Sequence, residues 1–293
     1  MHPVINLSEP LLHIKNILGE SPHWHPIEQR LYWLDIETGR LFRLNPTDLN
    51  VEYFDLGICA SSFGFRKKGG LIFATETGFG FWSRQDRTIF NLTNLYEVDQ
   101  GIMMNDGRVD QAGRFWAGSK GPTGTAALFK LNPDQTCQKV LPGITISNGI
   151  DWSLDNTICY YTDSGNQTIY QYQFDPVEGA LMEPKVFFSL KDDPNSATPD
   201  GLCLDSAGNI WTAIWDGSKV LQLSPEGKIL QEVRLPVSRP TSIAFSGSEF
   251  KDLYITSAST GLTAKQLNQQ PYAGDLFVFQ TKIPGRPANF FTG

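Results

Sequence analysis

Apolar and polar residues alternate along this chain in short runs, and no stretch keeps a helical period. Residues 39–46 (GRLFRLNP), 127–133, 168–176 and 219–225 alternate with a period of two. That pattern predicts half-buried antiparallel strands. Between them stand clusters of Gly, Asp, Asn and Pro, the residues of turns. Six aromatic or β-branched runs recur at 31–35, 71–75, 115–118, 158–162, 210–213 and 253–256. Their starts are 40, 44, 43, 52 and 43 residues apart, the spacing of propeller blades. The longest gap holds a polar insertion at 191–198 (KDDPNSAT). Four short strands per repeat, six times over, predict an all-β fold: a six-bladed β-propeller with four-stranded antiparallel blades. Residues 1–293 are read as a single domain of this kind, with 11–17 supplying a strand that closes the ring against the last blade.

The repeats also align one polar residue per blade. In 105–118 (NDGRVDQAGRFWAG) the pattern predicts a turn at Asn105-Asp106-Gly107, a short strand, a hairpin connection at 110–113 and the aromatic strand. Ten residues before the aromatic runs stand Ser61, Asn105, Asn148 and Asp200; eleven before stands Glu20 and twelve before stands Thr241. If each opens the innermost strand of its blade, the six line one mouth of the central channel. Two readings stay open. Asn-Gly and Asp-Gly are common turn dipeptides. Glu20 is no turn former, however, and Glu, Asn and Asp together offer an all-oxygen site for a hard cation.

Composition narrows the function classes. The chain has 24 Lys+Arg against 31 Asp+Glu, a net charge of −7, and its densest basic run is Arg66-Lys67-Lys68. Nucleic-acid and anionic-membrane binding are not expected. No basic start precedes an apolar core, and no window approaches a membrane span. The four cysteines, Cys59, Cys137, Cys159 and Cys203, have no metal-type spacing and are read as free thiols in a reducing compartment, hence a cytoplasmic location.

Gly19-Glu20-Ser21-Pro22-His23-Trp24, the 105–118 unit, Ser147-Asn148-Gly149, Pro199-Asp200-Gly201 and Arg239-Pro240-Thr241 together resemble the gluconolactonase/regucalcin family of sugar lactonases, and 210–217 (IWTAIWDG) resembles its bacterial members. The likeness runs in order from about residue 12 to residue 280. It implies a six-bladed propeller with one divalent metal ion (Ca2+, Mg2+, Mn2+, Zn2+ or Fe2+) at the channel mouth. Carried over residue by residue, it implies Glu20, Asn148 and Asp200 as metal ligands and Asn105 as a substrate contact. Met103 stands where the family often has an Arg that binds substrate hydroxyls, so Met103 is expected to line the substrate. The carboxylate that some members carry after the Ala-Gly-Ser turn has no match, since 119–125 holds only Lys120 as a charge.

The expected activity is hydrolysis of a sugar (aldono-) lactone or similar lactone to the hydroxy acid. The metal polarises the carbonyl, Asp200 acts as general base on water, Glu20 and Asn148 complete the ligand set, and Asn105 helps the metal stabilise the oxyanion. The partner is a small-molecule lactone, and the chain is expected to be a monomer or homodimer. Rival readings are a non-enzymatic calcium-binding propeller and a propeller esterase or phosphotriesterase. His23 and His25, either side of Trp24, are expected to point to opposite sides and to be structural. Asp106 and Asp110 are read as turn and hairpin residues, Trp33, Trp116, Trp211 and Trp215 as inter-blade packing, and Asp163 as a turn cap.

Overall fold

The computed structural model describes residues 2–98, 100–194 and 196–293. Six sheets follow one another along the chain. The second strand of each is one of the six predicted runs: Arg30–Asp35, Leu71–Thr75, Phe115–Lys120, Ile158–Asp163, Ile210–Trp215 and Asp252–Ser257. The first strands are Gly19–His25, Ala60–Phe65, Met103–Val109, Ser147–Trp152, Thr198–Leu204 and Pro240–Ser246. Each first strand lies against the first strand of the next sheet, and the sixth lies against the first. The sheets are therefore blades around one axis, a six-bladed β-propeller, with the first strands innermost.

Blades 1 to 4 have four antiparallel strands. Blade 5 gains a fifth, Val4–Asn6, parallel to Ile229–Arg234. Blade 6 has three, and an isolated bridge between Leu12 and Leu276 takes the outer place. Segment 11–17 thus closes the ring on the last blade as expected, but by one bridge and not a strand. Pro10 has no N–H to extend a ladder, and Lys15 sits at a φ of 61°. Insertion 191–198 forms turns between Ala180–Ser189 and Thr198–Leu204, with Asn195 outside the described residues.

Packing between blades comes from the second strands. Trp116 meets Trp152 of blade 4 edge-on at 5.9 Å, and Trp211 meets Phe245 of blade 6 at 6.2 Å. Trp33 stacks on Phe42 at 5.1 Å and joins a buried cluster with Tyr254 and Leu276 of blade 6. Trp215 also packs against other blades, at the cluster that includes Leu34 and Phe63. It is half-buried at the end of its strand, with the Arg239 guanidinium 4.7 Å over its ring.

Asp110 behaves as a hairpin residue. Its carboxylate accepts from the Arg114 backbone N–H and Nε and from Trp116 Nε1. Asp205 repeats the device in blade 5 with Asn209 and Trp211.

After Phe277–Gln280 the chain crosses beneath the propeller. Gly285 bridges Asp205, Arg286 donates to Asp151 and to Trp152 O, Asn289 donates to Val109 O, and Phe291 bridges Arg66. These partners lie near or just beyond the far ends of the first strands in blades 5, 4, 3 and 2, so the strap covers the channel end opposite Glu20 and Asp200. No periodicity in the sequence marks this segment.

Candidate metal centre

The first strand of every blade carries a register break. It falls between Glu20 and His23, Ala60 and Ser62, Met104 and Gly107, Ser147 and Ile150, Pro199 and Leu202, and Pro240 and Ile243. The six residues aligned by the repeats sit in or at the edge of these breaks. A bulge lifts a residue out of the ladder and re-aims its side chain. Asn105-Asp106-Gly107 is therefore a bulged strand and not a turn. The glycines have a matching role: a Cβ at Gly149 would stand 2.5 Å from Leu202 N and 2.7 Å from Asp200 O. Close approach of neighbouring innermost strands demands Gly there, at ordinary φ.

Two further carboxylates hold the entries to these strands. Asp35, ending the second strand of blade 1, accepts from the backbone N–H groups of Ile17 and Leu18, just ahead of Glu20. Asp163 does the same in blade 4 with Ile146 N, ahead of Asn148, and also accepts from Gly165 N. Asp163 is the turn cap the sequence suggested, and the cap also positions a ring residue.

The ring residues divide into two sets. Ser61 Oγ donates to Asn105 O at 2.9 Å and Thr241 Oγ1 to Gly19 O at 2.5 Å, so both stitch neighbouring blades. Glu20, Asn105, Asn148 and Asp200 are all buried; the two amides hydrogen-bond to each other and the Glu20 charge acts on Asp200. Asn105 Nδ2 donates to Ser147 O at 2.7 Å and to Asn148 Oδ1 at 2.9 Å. Asn148 Nδ2 donates to Ser164 Oγ at 2.8 Å, and Ser164 donates to Pro199 O at 2.6 Å. One chain of hydrogen bonds thus runs through blades 3, 4 and 5 to the residue before Asp200. Both Nδ2 hydrogens of Asn105 are engaged, which leaves its Oδ1. Asn105 therefore offers an acceptor, and the expected share in stabilising an oxyanion does not follow.

The electrostatics call for a cation. Burial, then the Asp106 charge, pushes the Glu20 carboxyl up to about 8, against Ser21 N–H and Lys120. Asp200 is raised well above its usual range by burial, then by Glu20 and Asp106. Asp106 is itself pushed up to about 6 by burial, opposed by Arg108 and the Gly107 N–H. Asp200 Oδ1 is buried with no hydrogen-bond partner. Buried carboxylates of like charge, one with an orphaned oxygen, are stabilised as anions only by a positive partner. Two acids and an amide oxygen suit a hard divalent ion. Among the described residues no three His, Cys, Asp or Glu side chains converge on one point, so Asp106 acts on the site by its field.

Reading Asp106 as a turn residue missed this. The available signal was an acid adjacent to a ring position, since a bulge lets consecutive side chains reach the same space. The histidines also need correction: residues two apart on a strand share a face. Both rings lie against Phe65, at 6.2 Å for His23 and 4.5 Å for His25. They are structural all the same. His23 Nδ1 hydrogen-bonds Ser21 O, and burial, then Arg108, pushes this imidazole down to about 3. Met103 is half-buried and pairs across the ladder with Lys120, while Met104 faces the core between blades 2 and 3. Trp215, Met103 and Cys59 pack against the same apolar cluster of blades 1 and 2. All four cysteines are free. Among the described residues, no helix is long and apolar enough to cross a membrane.

Residues 18–259 match the family described as SMP-30/Gluconolactonase/LRE-like region. The chain is 35% identical over 281 residues to a 6-deoxy-6-sulfogluconolactonase of Pseudomonas putida, covering 95% of this chain and 96% of that one. It is 35% identical over 288 residues to a regucalcin of Danio rerio, with 95% and 96% covered. A solved calcium-binding regucalcin from Agrobacterium tumefaciens superimposes with a TM-score of 0.93 at 22% identity, covering 99% of both chains. Matched along nearly its whole length, this chain belongs to the SMP-30/gluconolactonase/LRE-like family.

Proposed function

We propose that the protein is a lactonase, a metal-dependent hydrolase that opens a sugar lactone or similar lactone to the hydroxy acid. The observation that carries the reading is the buried pair Glu20 and Asp200, in which the Glu20 charge opposes ionisation of Asp200 and Asp200 Oδ1 has no hydrogen-bond partner. Membership in a family whose relatives are named as lactonases supports it. Glu20, Asn148 and Asp200 would hold one divalent ion at the mouth. Such an ion supplies electrophilic polarisation of a carbonyl. Asp200 takes the proton of the attacking water at Oδ1. Asn105 accepts from that water or from a substrate hydroxyl through Oδ1, its amide plane fixed by Asn148 and Ser147. Glu20 balances charge. Met103 forms an apolar wall where the substrate lies.

The Pseudomonas relative's name specifies a lactone bearing a sulfonate. Lys120, across the ladder from Met103, gives this chain a cation near the same mouth. Neutral and acidic aldonolactones, a 6-sulfonated one included, therefore belong in one panel. Hydrolysis followed by acid release should be at least tenfold above buffer for one of them. A chelator should abolish it and added divalent ion restore it, and Asp200→Ala should be inactive with weakened metal binding. Metal-loaded protein that opens no lactone faster than buffer would leave the calcium-binding reading suggested by the regucalcin relatives.

A further inference from the structure

A cavity of about 250 Å³ lies at the channel end away from Glu20 and Asp200, under the C-terminal strap. Its polar wall includes positions three residues after the ring, His23, Arg108 and Asp151, with Gln111 and with Arg286 and Asn289 from the strap. Its apolar wall includes Trp24 and Phe245. None of these groups takes part in the proposed reaction.

Within this wall guanidiniums outnumber carboxylates, although Arg108 also acts on Asp106 toward the other mouth. Asp151 is the only carboxylate lining the cavity among the described residues, against two guanidiniums. Its oxygens are already well supplied: Oδ1 accepts from Trp152 N and Arg286 Nη2, and Oδ2 from Leu204 N. Arg108 Nη1 stands 3.8 Å from Asp151 Oδ2, too far for a hydrogen bond, and its Nη2 donates to Leu202 O. Arg286 Nη2 serves Asp151 and Trp152 O, while Arg286 Nε is buried with no acceptor. An arginine carries five N–H donors, so most of those on this pair are unmatched. Both side chains are about a fifth exposed, 22% and 23%, and both line the cavity.

We propose that this cavity is a binding site for a small organic carboxylate. The carboxylate sits between Arg108 and Arg286, in the paired geometry that guanidiniums favour, and its short apolar body lies against Trp24 and Phe245. A cavity of this volume holds several heavy atoms beyond a lone ion. Because Arg286 belongs to the strap, the ligand also ties the strap to the innermost strands, and binding stabilises the fold by mass action.

The test uses the full chain loaded with its divalent ion, at constant ionic strength, with sodium butyrate as probe and butyramide as its uncharged control. Titration calorimetry should show one saturable butyrate site and melting should show a raised midpoint, with no effect of butyramide. Arg286→Gln and Arg108→Gln should each weaken butyrate at least tenfold, and Arg286→Lys should retain part of the affinity. Asp200→Ala, altered at the opposite mouth, should bind butyrate as the parent does, which separates this site from a carboxylate on the metal. The proposal fails if butyramide binds equally, if butyrate shows no saturable binding, or if its affinity survives both Gln substitutions.

Discussion

At the scale of the residue, the site is built from groups that disfavour one another without a cation. Glu20 is held near 8 where a free Glu titrates near 4.5, so folding favours its protonated form. Its contribution to stability is full below about pH 4.5 and is lost as the pH rises through 8, by up to about 1.4 kcal/mol per pH unit for one proton. Melting midpoints in chelator should therefore fall between pH 5 and 8, and added divalent ion should remove that fall. A flat profile in chelator would contradict the electrostatic account. In chelator, Asp200→Asn should melt at least as high as the parent, because a buried acid that resists ionisation is replaced by a neutral amide of the same shape. The same variant should lose metal affinity and activity, so function is lost without a loss of stability. Repeat arithmetic alone reached Glu20, Asn105, Asn148 and Asp200, since equivalent positions in a closed ring must face one axis. It could not reach Asp106 or Ser164. Asp106 was masked by turn chemistry, and Ser164 follows a different strand and meets Asn148 only through tertiary packing.

At the scale of the element, the aromatic second strands were legible because alternation and burial specify them directly. The first strands were not, because Asn-Asp-Gly, Asn-Gly and Asp-Gly have the composition of turns. What places them in strands is the neighbour on each side: Gly149 lies against Leu202 and Asp200, leaving no room for a side chain. Gly149→Ala should cost about 3 kcal/mol and displace Asn148, lowering metal affinity as well as the midpoint. Normal metal binding in a stable Gly149→Ala protein would show that the close approach is not what holds the bulge. The Asp110 and Asp205 hairpins illustrate a different limit. Their Asp, Arg or Asn, and Trp partners fall at fixed spacing in sequence, yet only the fold shows that the carboxylate is the shared acceptor.

At the scale of the whole molecule, blade number followed from spacing, but the way the ring is tied did not. Val4–Asn6 adds to blade 5, Leu12 bridges blade 6, and the strap reaches blades 5, 4, 3 and 2 in turn. Phe291 is fully buried there, within the cluster between blades 2 and 3. Phe291→Ala should cost about 3–5 kcal/mol, the loss of a central core residue, as read from denaturant midpoints. A loss under 1 kcal/mol would show the strap to be only loosely attached.

The six register breaks have a consequence of their own. Ser61, Asn105, Asn148, Asp200 and Thr241 have no partner in the ladder, and Glu20 keeps one with Leu34, so the identity of a ring residue can change while every ladder stays intact. Ser61 and Thr241 already show that the positions of Glu20 and Asp200 accept short hydroxyl residues in other blades. The propeller thus separates what makes it fold from what gives it chemistry. New donor sets can be written into the mouth one blade at a time, without changing the register of any sheet.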